Sequence, residues 1–278
     1  MAKNTQQSIF CRYKKDGNTY YGKYEDNTIH QLEKAPWFGI EFTGITCELS
    51  QVKLLYPSEP AKIIGLVKAY KQAWQDKTPP KFVRWFLKPA SSAASDGDEI
   101  VLPAALDKVK VECELTIIIG KPIADSDEQE AEAAIFGFTV GNDIMGSADS
   151  FVEATGDTPD YQDPSLAAAL KIGDGFAPFG PFVWTNVDWL DKSLTVSIQN
   201  PETNMNAVYH GSTNDLLYSP AKIVSDLTKI VKLYPGDVIM TGTFKSFVAS
   251  HKDIVSVEIE GLGRLTNYIS NEREKTCE

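Results

Sequence analysis

Histidine and cysteine are scarce in this chain, which has three histidines and four cysteines among its 278 residues. The cysteines show no CxxC motif or other paired spacing, which a disulfide framework or a structural zinc site would require. The histidines also lack the spacing of zinc ligands. We therefore expect reduced thiols in a reducing compartment and no zinc site. The cysteines are Cys11, Cys47, Cys113 and Cys277, and the histidines are His30, His210 and His251.

Long apolar runs and an excess of positive charge are also missing. No apolar run approaches the roughly 20 residues of a membrane-spanning helix, and residues 1–7 lack the apolar segment of a secretory signal. The 38 acidic residues outnumber the 27 basic ones, which gives a formal net charge of −11. Nucleic acids and anionic membranes attract the opposite charge. We therefore expect a cytoplasmic protein with no nucleic-acid or membrane partner.

Short runs of β-branched and aromatic residues recur along the chain and predict a β-dominated α+β fold. Two such runs, at residues 8–13 and 19–24, flank Asp-Gly and Gly-Asn turn signals and indicate a hairpin. We predict a small N-terminal β domain over residues 1–57, a main domain over residues 58–270 and a polar tail over residues 271–278.

Helical periodicity is confined to a few segments. The clearest covers residues 219–231, where Ser219 is a candidate N-cap. An acidic, Ala-rich helix with a solvated face is predicted over residues 126–134, and apolar spacing indicates another helix over residues 68–76. Residues 145–170 are poorly patterned, so we expect either a functional lid or a disordered insert there.

A predicted strand over residues 111–121 carries the first candidate site. Because side chains alternate along a strand, Glu112 and Glu114 share one face and Cys113 points to the core. Two carboxylates on one face of an apolar strand are unfavourable without a cation between them, and Asp143, at the end of a second apolar run, supplies a third acid. Three carboxylates suit Mg²⁺, Mn²⁺ or Ca²⁺. A solvated strand face is the alternative that the spacing leaves open.

Several short motifs follow one another through most of the chain. They are Lys62-Ile-Ile-Gly65, Phe86-Leu-Lys-Pro89, Glu112-Cys-Glu-Leu115, Gly141-Asn-Asp143, Pro178-Phe-Gly-Pro181, Pro235-Gly-Asp-Val238, Thr241-Gly-Thr243 and Glu258-Ile-Glu-Gly-Leu-Gly263. In this order and spacing, the motifs make the chain similar to the fumarylacetoacetate hydrolase (FAH) family, from about residue 54 to residue 267. The order and spacing carry this resemblance, since no single motif is specific.

The resemblance implies an FAH-type mixed β-roll catalytic domain with a small N-terminal β domain, in a homodimer. It implies Mg²⁺, or a similar ion such as Mn²⁺ or Ca²⁺, bound by Glu112, Glu114 and Asp143. It also implies Lys171 as the active-site lysine and Thr243 as a substrate contact. The implied partner is a small-molecule substrate, a 2-oxo or 1,3-dicarbonyl acid, which chelates the metal as an enolate during C–C cleavage, decarboxylation or tautomerisation.

One motif of the family is altered in this chain. Members often carry Asn-Tyr-x-x-His-x-x-Glu, in which the His and Glu handle a water or a proton. In residues 67–74, Lys71 takes the His position and Trp74 the Glu position. A lysine of ordinary pKa is a poor base at neutral pH, although Lys71 stays a candidate catalytic residue. The change favours enolate chemistry over hydrolysis.

Three functions remain open at this point. The first is a lyase, tautomerase or decarboxylase acting on a small oxo acid, and the second is a biosynthetic cyclase or C–C bond-forming enzyme with a bulkier substrate. The third is a non-catalytic relative that binds a metabolite or a protein, which the three retained carboxylates argue against. Arg84, Lys88 and His210 are candidates for holding the substrate, and ordinary solvated side chains are the alternative for all three.

Overall fold

The computed structural model of the chain describes residues 7–75, 77–156 and 164–272. Strands dominate this part of the chain, and its α-helices are short. The strands are β1 (Ser8–Lys15), β2 (Asn18–Glu25), β3 (Thr28–Leu32), β4 (Phe42–Glu48), β5 (Lys53–Leu55), β6 (Ile63–Leu66), β7 (Trp85–Lys88), β8 (Ala93–Ala94), β9 (Glu99–Leu102), β10 (Lys108–Val111), β11 (Cys113–Ile119), β12 (Ile135–Asn142), β13 (Met145–Gly146), β14 (Ala177–Pro178), β15 (Phe182–Thr185), β16 (Ser193–Asn200), β17 (Met205–Ser212), β18 (Val238–Met240), β19 (Phe247–Ser250), β20 (Ile254–Ile259) and β21 (Gly263–Asn271). The helices are α1 (Glu128–Ala134), α2 (Ala148–Thr155), α3 (Pro164–Ala169) and α4 (Pro220–Thr228).

Eleven strands form the main sheet, in the order β4-β3-β2-β1-β15-β12-β11-β18-β6-β7, with β5 also paired to β1. A five-stranded sheet, in the order β17-β16-β20-β21-β9, packs against β11 and β12. Two smaller sheets, β13-β10-β19 and β14-β8, complete the fold. The predicted β-dominated α+β class is therefore confirmed.

The N-terminal strands belong to the same sheet as the central strands of the main domain. β1 pairs antiparallel with β15, from Ser8 opposite Thr185 to Cys11 opposite Phe182. Backbone hydrogen bonds of β1 therefore join the small N-terminal unit to the main domain directly. The small unit also has its own core, in which Cys11, Cys47 and other side chains pack together.

β11 lies at the centre of the main sheet, between β12 and β18, and every one of its residues is buried. A run of Thr and Ile suits a strand covered on both faces. Cys113 is fully buried, and its Sγ donates to the carbonyl oxygen of Glu258 at 3.6 Å. Burial raises the pKa of this thiol. The prediction that Cys113 belongs to the core is confirmed.

Two of the predicted helices are confirmed. α4 begins after Ser219, whose hydroxyl accepts from the Lys222 backbone N–H at 3.1 Å, as expected of an N-cap. α1 begins after Asp127, which forms a capping box with Glu130. Its glutamates are exposed, so the predicted solvated face is present.

The helix predicted over residues 68–76 is wrong. Only a 3₁₀ turn at Lys71–Ala73 forms there, and Asp76 lies outside the described residues. Lys68 and Gln75 have φ values of 52° and 46°, which a right-handed helix excludes. Long-range contacts outweigh the local pattern, because Tyr70 forms a bridge with Leu216.

Residues 145–170 contain more regular structure than their sequence predicts. β13, α2 and α3 lie within this stretch, while residues 157–163 lie outside the described residues. Asn271, the first residue of the predicted tail, pairs with Leu102 at the end of β21, and residues 273–278 lie outside the described residues. Within the described ranges, no helix is long and apolar enough to span a membrane.

Candidate active site

Three acids meet where two central strands of the main sheet end. Glu112 immediately precedes β11, Glu114 is its second residue, and Asp143 immediately follows β12. The register pairs Cys113 with Asn142, so these strand ends lie side by side. One carboxylate oxygen from each acid lies within 4.8 Å of the others. The structure thus brings together the two glutamates that strand alternation places on one face and Asp143, which the sequence supplies at the end of a second apolar run.

Backbone and hydroxyl groups orient two of these acids. The Gly242 backbone N–H donates to Glu114 Oε2 at 2.7 Å, and the Ser246 hydroxyl donates to Glu112 Oε1 at 2.5 Å. Gly242 has a φ of 90°, and a Cβ there would lie 2.9 Å from the Cβ of Ala69. Glycine therefore allows the close approach that brings this N–H to the carboxylate.

Two lysines neutralise part of the negative charge. Lys88 Nζ lies 2.5 Å from Asp143 Oδ1 and donates to the Ile144 carbonyl oxygen at 2.7 Å. Lys171 Nζ contacts the other oxygen of Asp143 and lies 3.3 Å from Glu112 Oε2. Lys88 has no exposed side-chain surface, whereas the side chain of Lys171 is 11 % exposed. Of these two lysines, Lys171 is therefore the one that a ligand can reach.

The pKa shifts follow from burial and from these contacts. Burial, reinforced by Asp143 and Glu112, raises the pKa of Glu114 well above its usual range. Burial also acts against charge on Asp143, but Lys171 and Lys88 outweigh it and hold the pKa of Asp143 below its ordinary value. Burial lowers the pKa of Lys88 despite the neighbouring Asp143. For Lys171, the attraction of Asp143 and Glu112 exceeds the effect of burial and raises the pKa.

The acid cluster has the properties of a site for a hard divalent cation. Its donors are carboxylate oxygens, which suit Mg²⁺, Mn²⁺ and Ca²⁺. Glu114 Oε1 is buried and has no hydrogen-bond partner, although buried polar atoms are nearly always paired. A cation would supply the missing partner and offset the repulsion that raises the pKa of Glu114. The residues present therefore fit such an ion.

A cavity of about 480 Å³ opens beside this cluster. Lys171 contributes to its wall, and the ammonium lies 4.8 Å from the centre of the Phe86 ring. Thr243, the predicted substrate contact, also lines it, and its hydroxyl donates to the Lys245 carbonyl oxygen at 3.1 Å. The lining residues are Leu66, Val67, Lys68, Gln72, Ala73, Phe86, Glu112, Met145, Lys171, Thr243, Phe244, Lys245 and Ser246.

Four other predicted site residues do not line this cavity. Lys88 is fully buried against Asp143. Lys71 donates to the Asn214 carbonyl oxygen at 2.5 Å, and the Arg84 guanidinium lies 5.2 Å from the centre of the Trp74 ring. His210 is exposed on β17, and its Nδ1 is 3.2 Å from the Thr195 hydroxyl. Their proposed roles thus gain no support from their positions.

Sequence reasoning did not identify Gly242 or Ser246 as partners of the acids. The contact of Gly242 with Glu114 joins residues that are 128 positions apart. A local sequence pattern therefore cannot predict this contact.

The family model described as fumarylacetoacetate (FAA) hydrolase C-terminal matches residues 61–270. The chain belongs to this family. A second model, Rv2993c-like N-terminal, matches residues 10–57. The two matches cover most of the chain and meet between residues 57 and 61.

Individual FAH-family proteins resemble the chain over most of its length. Protein Rv2993c of Mycobacterium tuberculosis is 31 % identical over 254 residues, or 89 % of this chain and 90 % of that protein. Human mitochondrial oxaloacetate tautomerase FAHD2A is 29 % identical over 235 residues, or 79 % of this chain and 70 % of that one. The crystal structure of 5-carboxymethyl-2-hydroxymuconate delta-isomerase from Mycobacterium smegmatis has a TM-score of 0.80 and 28 % identity, covering 95 % of this chain and 100 % of that one. These similarities support the prediction that the chain is an enzyme.

Proposed function

We propose that this FAH-family protein is a divalent-metal-dependent enzyme that enolises a small 2-oxo or 1,3-dicarbonyl acid, leading to tautomerisation, decarboxylation or C–C cleavage. One observation carries the proposal. Glu112, Glu114 and Asp143 converge within 4.8 Å beside a cavity, and one oxygen of Glu114 is buried without a partner. The activities named for the human tautomerase and the mycobacterial isomerase belong to the same class of chemistry.

The three acids would hold Mg²⁺, Mn²⁺ or Ca²⁺, and the bound cation would polarise a substrate carbonyl and favour negative charge on its oxygen. Gly242 and Ser246 keep two of the carboxylates in place. Such preorganisation reduces the rearrangement needed when a ligand binds.

Lys171 places a fixed positive charge at the wall of the cavity. Asp143 and Glu112 raise the pKa of Lys171 against the effect of burial, which favours the protonated amine. A protonated amine stabilises a developing enolate oxygen and does not accept a proton. Phe86, Met145 and Phe244 supply apolar wall that reduces access of water to the bound acid.

The composition of the cavity limits the groups that can move a proton. None of the described lining residues is a histidine, and Glu112 is the only acid among them. Enolisation and activation of an attacking water both need a base within hydrogen-bond reach, and Glu112, whose oxygens contact Ser246 and Lys171, would be that base. Neither the cyclase hypothesis nor the binding-protein hypothesis is favoured by the activities of the named relatives.

The proposal is tested by the turnover of oxaloacetate and a short series of acylpyruvates. Purified protein is assayed with Mg²⁺, Mn²⁺ or Ca²⁺, and after chelation, alongside Glu114→Gln. We expect enolisation or loss of at least one acid that depends on the added metal and falls at least a hundredfold in the variant. Metal binding measured by calorimetry should fall in parallel. A wild-type protein that binds none of the three ions would overturn the proposal.

A further inference from the structure

One loop contacts both glutamates of the acid cluster. It runs from the end of β18 to the start of β19, over residues 241–246. The Gly242 backbone N–H donates to Glu114 near one end of the loop, and the Ser246 hydroxyl donates to Glu112 at 2.5 Å at the other end. The path of this loop therefore determines how two of the proposed metal ligands are held.

Ser246 lies just beyond the end of a pair of strands. β19 pairs with β10 as far as Phe247, which is opposite Val111. Ser246 precedes Phe247 and Glu112 follows Val111, so the hydroxyl meets the carboxylate directly after the last strand pair. The strand pair therefore places Ser246 from one side, and the packing of the loop places it from the other.

Phe244, in the middle of the loop, packs directly on the backbone of β17. A Cβ added to Gly211 would lie within 3.0 Å of three carbons of the Phe244 ring. The φ of Gly211 lies outside the left-handed region, so the backbone conformation alone does not require glycine there. The close approach of the ring is therefore what requires glycine at position 211. Such close packing leaves the ring little freedom to shift towards the strand.

A second aromatic contact holds the other end of the same segment. Phe247 stacks on Tyr209, with the ring centres 3.9 Å apart and an angle of 20° between the rings. Tyr209 and Gly211 are two positions apart on β17 and therefore share one face of the strand. Phe244 and Phe247 also pack together, with their ring centres 5.7 Å apart. The two phenylalanines thus dock on one strand face, and they flank Ser246 in the sequence.

We propose that Phe244 is a positioning residue, which docks on Gly211 and holds the Ser246 hydroxyl against Glu112. This inference rests on the proposed function, because Glu112 is one of the three acids that would bind the metal. Groups that hydrogen-bond to metal ligands fix the orientation of those ligands, and their loss commonly weakens metal binding about 10- to 100-fold. β17 is an edge strand, and none of its described residues lines the cavity. It nevertheless controls the metal affinity of the site through one aromatic contact.

The test measures metal affinity in the absence of any substrate. Binding of Mg²⁺, Mn²⁺ and Ca²⁺ to the purified full-length protein is followed by calorimetry. Ser246→Ala removes the hydroxyl, and we expect it to weaken binding of the tightest-bound ion about tenfold. Phe244→Ala removes the ring and Gly211→Ala displaces it, so each should weaken binding of the same ion several-fold. Ser246→Thr keeps a hydroxyl and should retain most of the affinity.

Double variants show whether the ring acts through the hydroxyl. In a Ser246→Ala background, Phe244→Ala and Gly211→Ala should each change the affinity by less than about twofold, because the contact that they disturb is already lost. Gly211→Ala should also have no further effect in a Phe244→Ala background, where the added methyl group meets no ring. If Gly211→Ala does not fold, the combination of Phe244→Ala with Ser246→Ala still tests the inference.

Gly22→Ala is the matched control for a steric clash elsewhere in the protein. Its added Cβ would lie within 3.0 Å of the Ile29 side chain, and the φ of Gly22 also lies outside the left-handed region. Gly22 lies on β2, four strands away from β11 in the main sheet. This variant should lower the stability of the protein and leave the three metal affinities unchanged.

The outcomes separate this inference from the proposed function. Wild-type protein that binds none of the three ions would overturn the proposed function, and the inference would fall with it. Metal binding that is unchanged by Phe244→Ala or by Ser246→Ala would overturn the inference alone. Losses that add fully in the double variants would also overturn it, since the ring and the hydroxyl would then act independently. An equal loss of affinity in Gly22→Ala would trace the effect to general destabilisation and overturn it too.

Discussion

At the scale of single residues, Glu114 is a fully buried acid beside two other acids, Asp143 and Glu112. Burial first, and then Asp143 and Glu112, raise its pKa in the folded protein. The folded state therefore binds this proton more tightly than the unfolded chain does. The resulting stability is present below the unfolded pKa, roughly 4.3, and is lost as the pH rises towards the raised value.

Glu114→Gln should consequently stabilise the metal-free protein at pH 7 to 8. We expect a gain of about 1–3 kcal/mol, the usual penalty for a buried polar group without a partner. The gain should shrink towards pH 4, where the wild-type carboxyl is protonated. Urea unfolding in chelator across this pH range measures it. Saturating Mg²⁺ should stabilise the wild type but not the variant, and an equal response of both proteins would contradict the assignment of Glu114 as a ligand.

Lys88 illustrates the opposite case, a buried charge that already has its partners. Lys88→Met should destabilise the protein by about 3–5 kcal/mol, because it leaves Asp143 buried with one cation fewer. Urea unfolding in chelator checks this, with Lys229→Met as the control. The ion pair of Lys229 with Asp125 is exposed, and we expect no measurable change on its removal. A loss below 1 kcal/mol in Lys88→Met would show that the pair is not needed for folding.

Part of the site was predictable at this scale. The period of two along a strand places Glu112 and Glu114 on one face, and that pattern is local. The role of Lys88 was not predictable, because its partner Asp143 is 55 positions away. Lys88 was chosen as a substrate contact from its charge alone, and its full burial became visible only in the fold.

At the scale of secondary-structure elements, local sequence signals predict a helix correctly where the tertiary contacts agree with them. α4 has an N-cap, a proline in its first turn and a buried apolar face, all readable from the sequence. Residues 68–76 have a helical pattern too, but Trp74 bonds to the Lys68 backbone and Tyr70 pairs with Leu216. Lys68 has a φ of 52° in this arrangement, and helix propensity alone does not predict such contacts.

Ser219→Ala tests how much the N-cap of α4 contributes to the stability of the protein. The hydroxyl accepts from the Lys222 N–H at 3.1 Å, and its loss should cost about 1 kcal/mol. Ser219→Asp keeps an acceptor at the N-terminus of the helix and should retain most of the stability. Thermal and urea unfolding of the three proteins measure the difference. Equal destabilisation by both changes would mean that packing around residue 219, and not the cap, is responsible.

At the scale of the whole molecule, the homodimer stays a prediction from the resemblance to the FAH family, and the cytoplasmic location stays a prediction from the composition. Light scattering of the purified protein across a range of concentrations tests the dimer. A mass near twice the chain's 30.7 kDa is the expected result. A mass that stays at 30.7 kDa at all concentrations would contradict it.

The continuous main sheet predicts that the N-terminal unit and the catalytic region unfold together. Because β1 pairs with β15, opening either unit exposes an unpaired strand of the other. Cys11 and Cys47 are buried in the N-terminal unit, and Cys113 is buried in β11. Burial raises the pKa of Cys11 to about 12, so its thiol is unreactive in the folded protein.

Thiol labelling in urea measures this cooperativity directly. Two variant proteins are used, and both carry Cys277→Ser. One protein retains only Cys113, through Cys11→Ala and Cys47→Ala, and the other carries Cys113→Ala and retains the N-terminal pair. For each protein, the urea midpoint of labelling is compared with the urea midpoint of unfolding followed by far-ultraviolet circular dichroism. Comparing the two midpoints within one protein corrects for the stability lost by substitution. We expect labelling and circular dichroism to coincide in both proteins, because one sheet links the two cores. Labelling of Cys11 and Cys47 well before the loss of circular dichroism would mean that the N-terminal unit opens alone, and that its pairing with β15 is too weak to couple the two units.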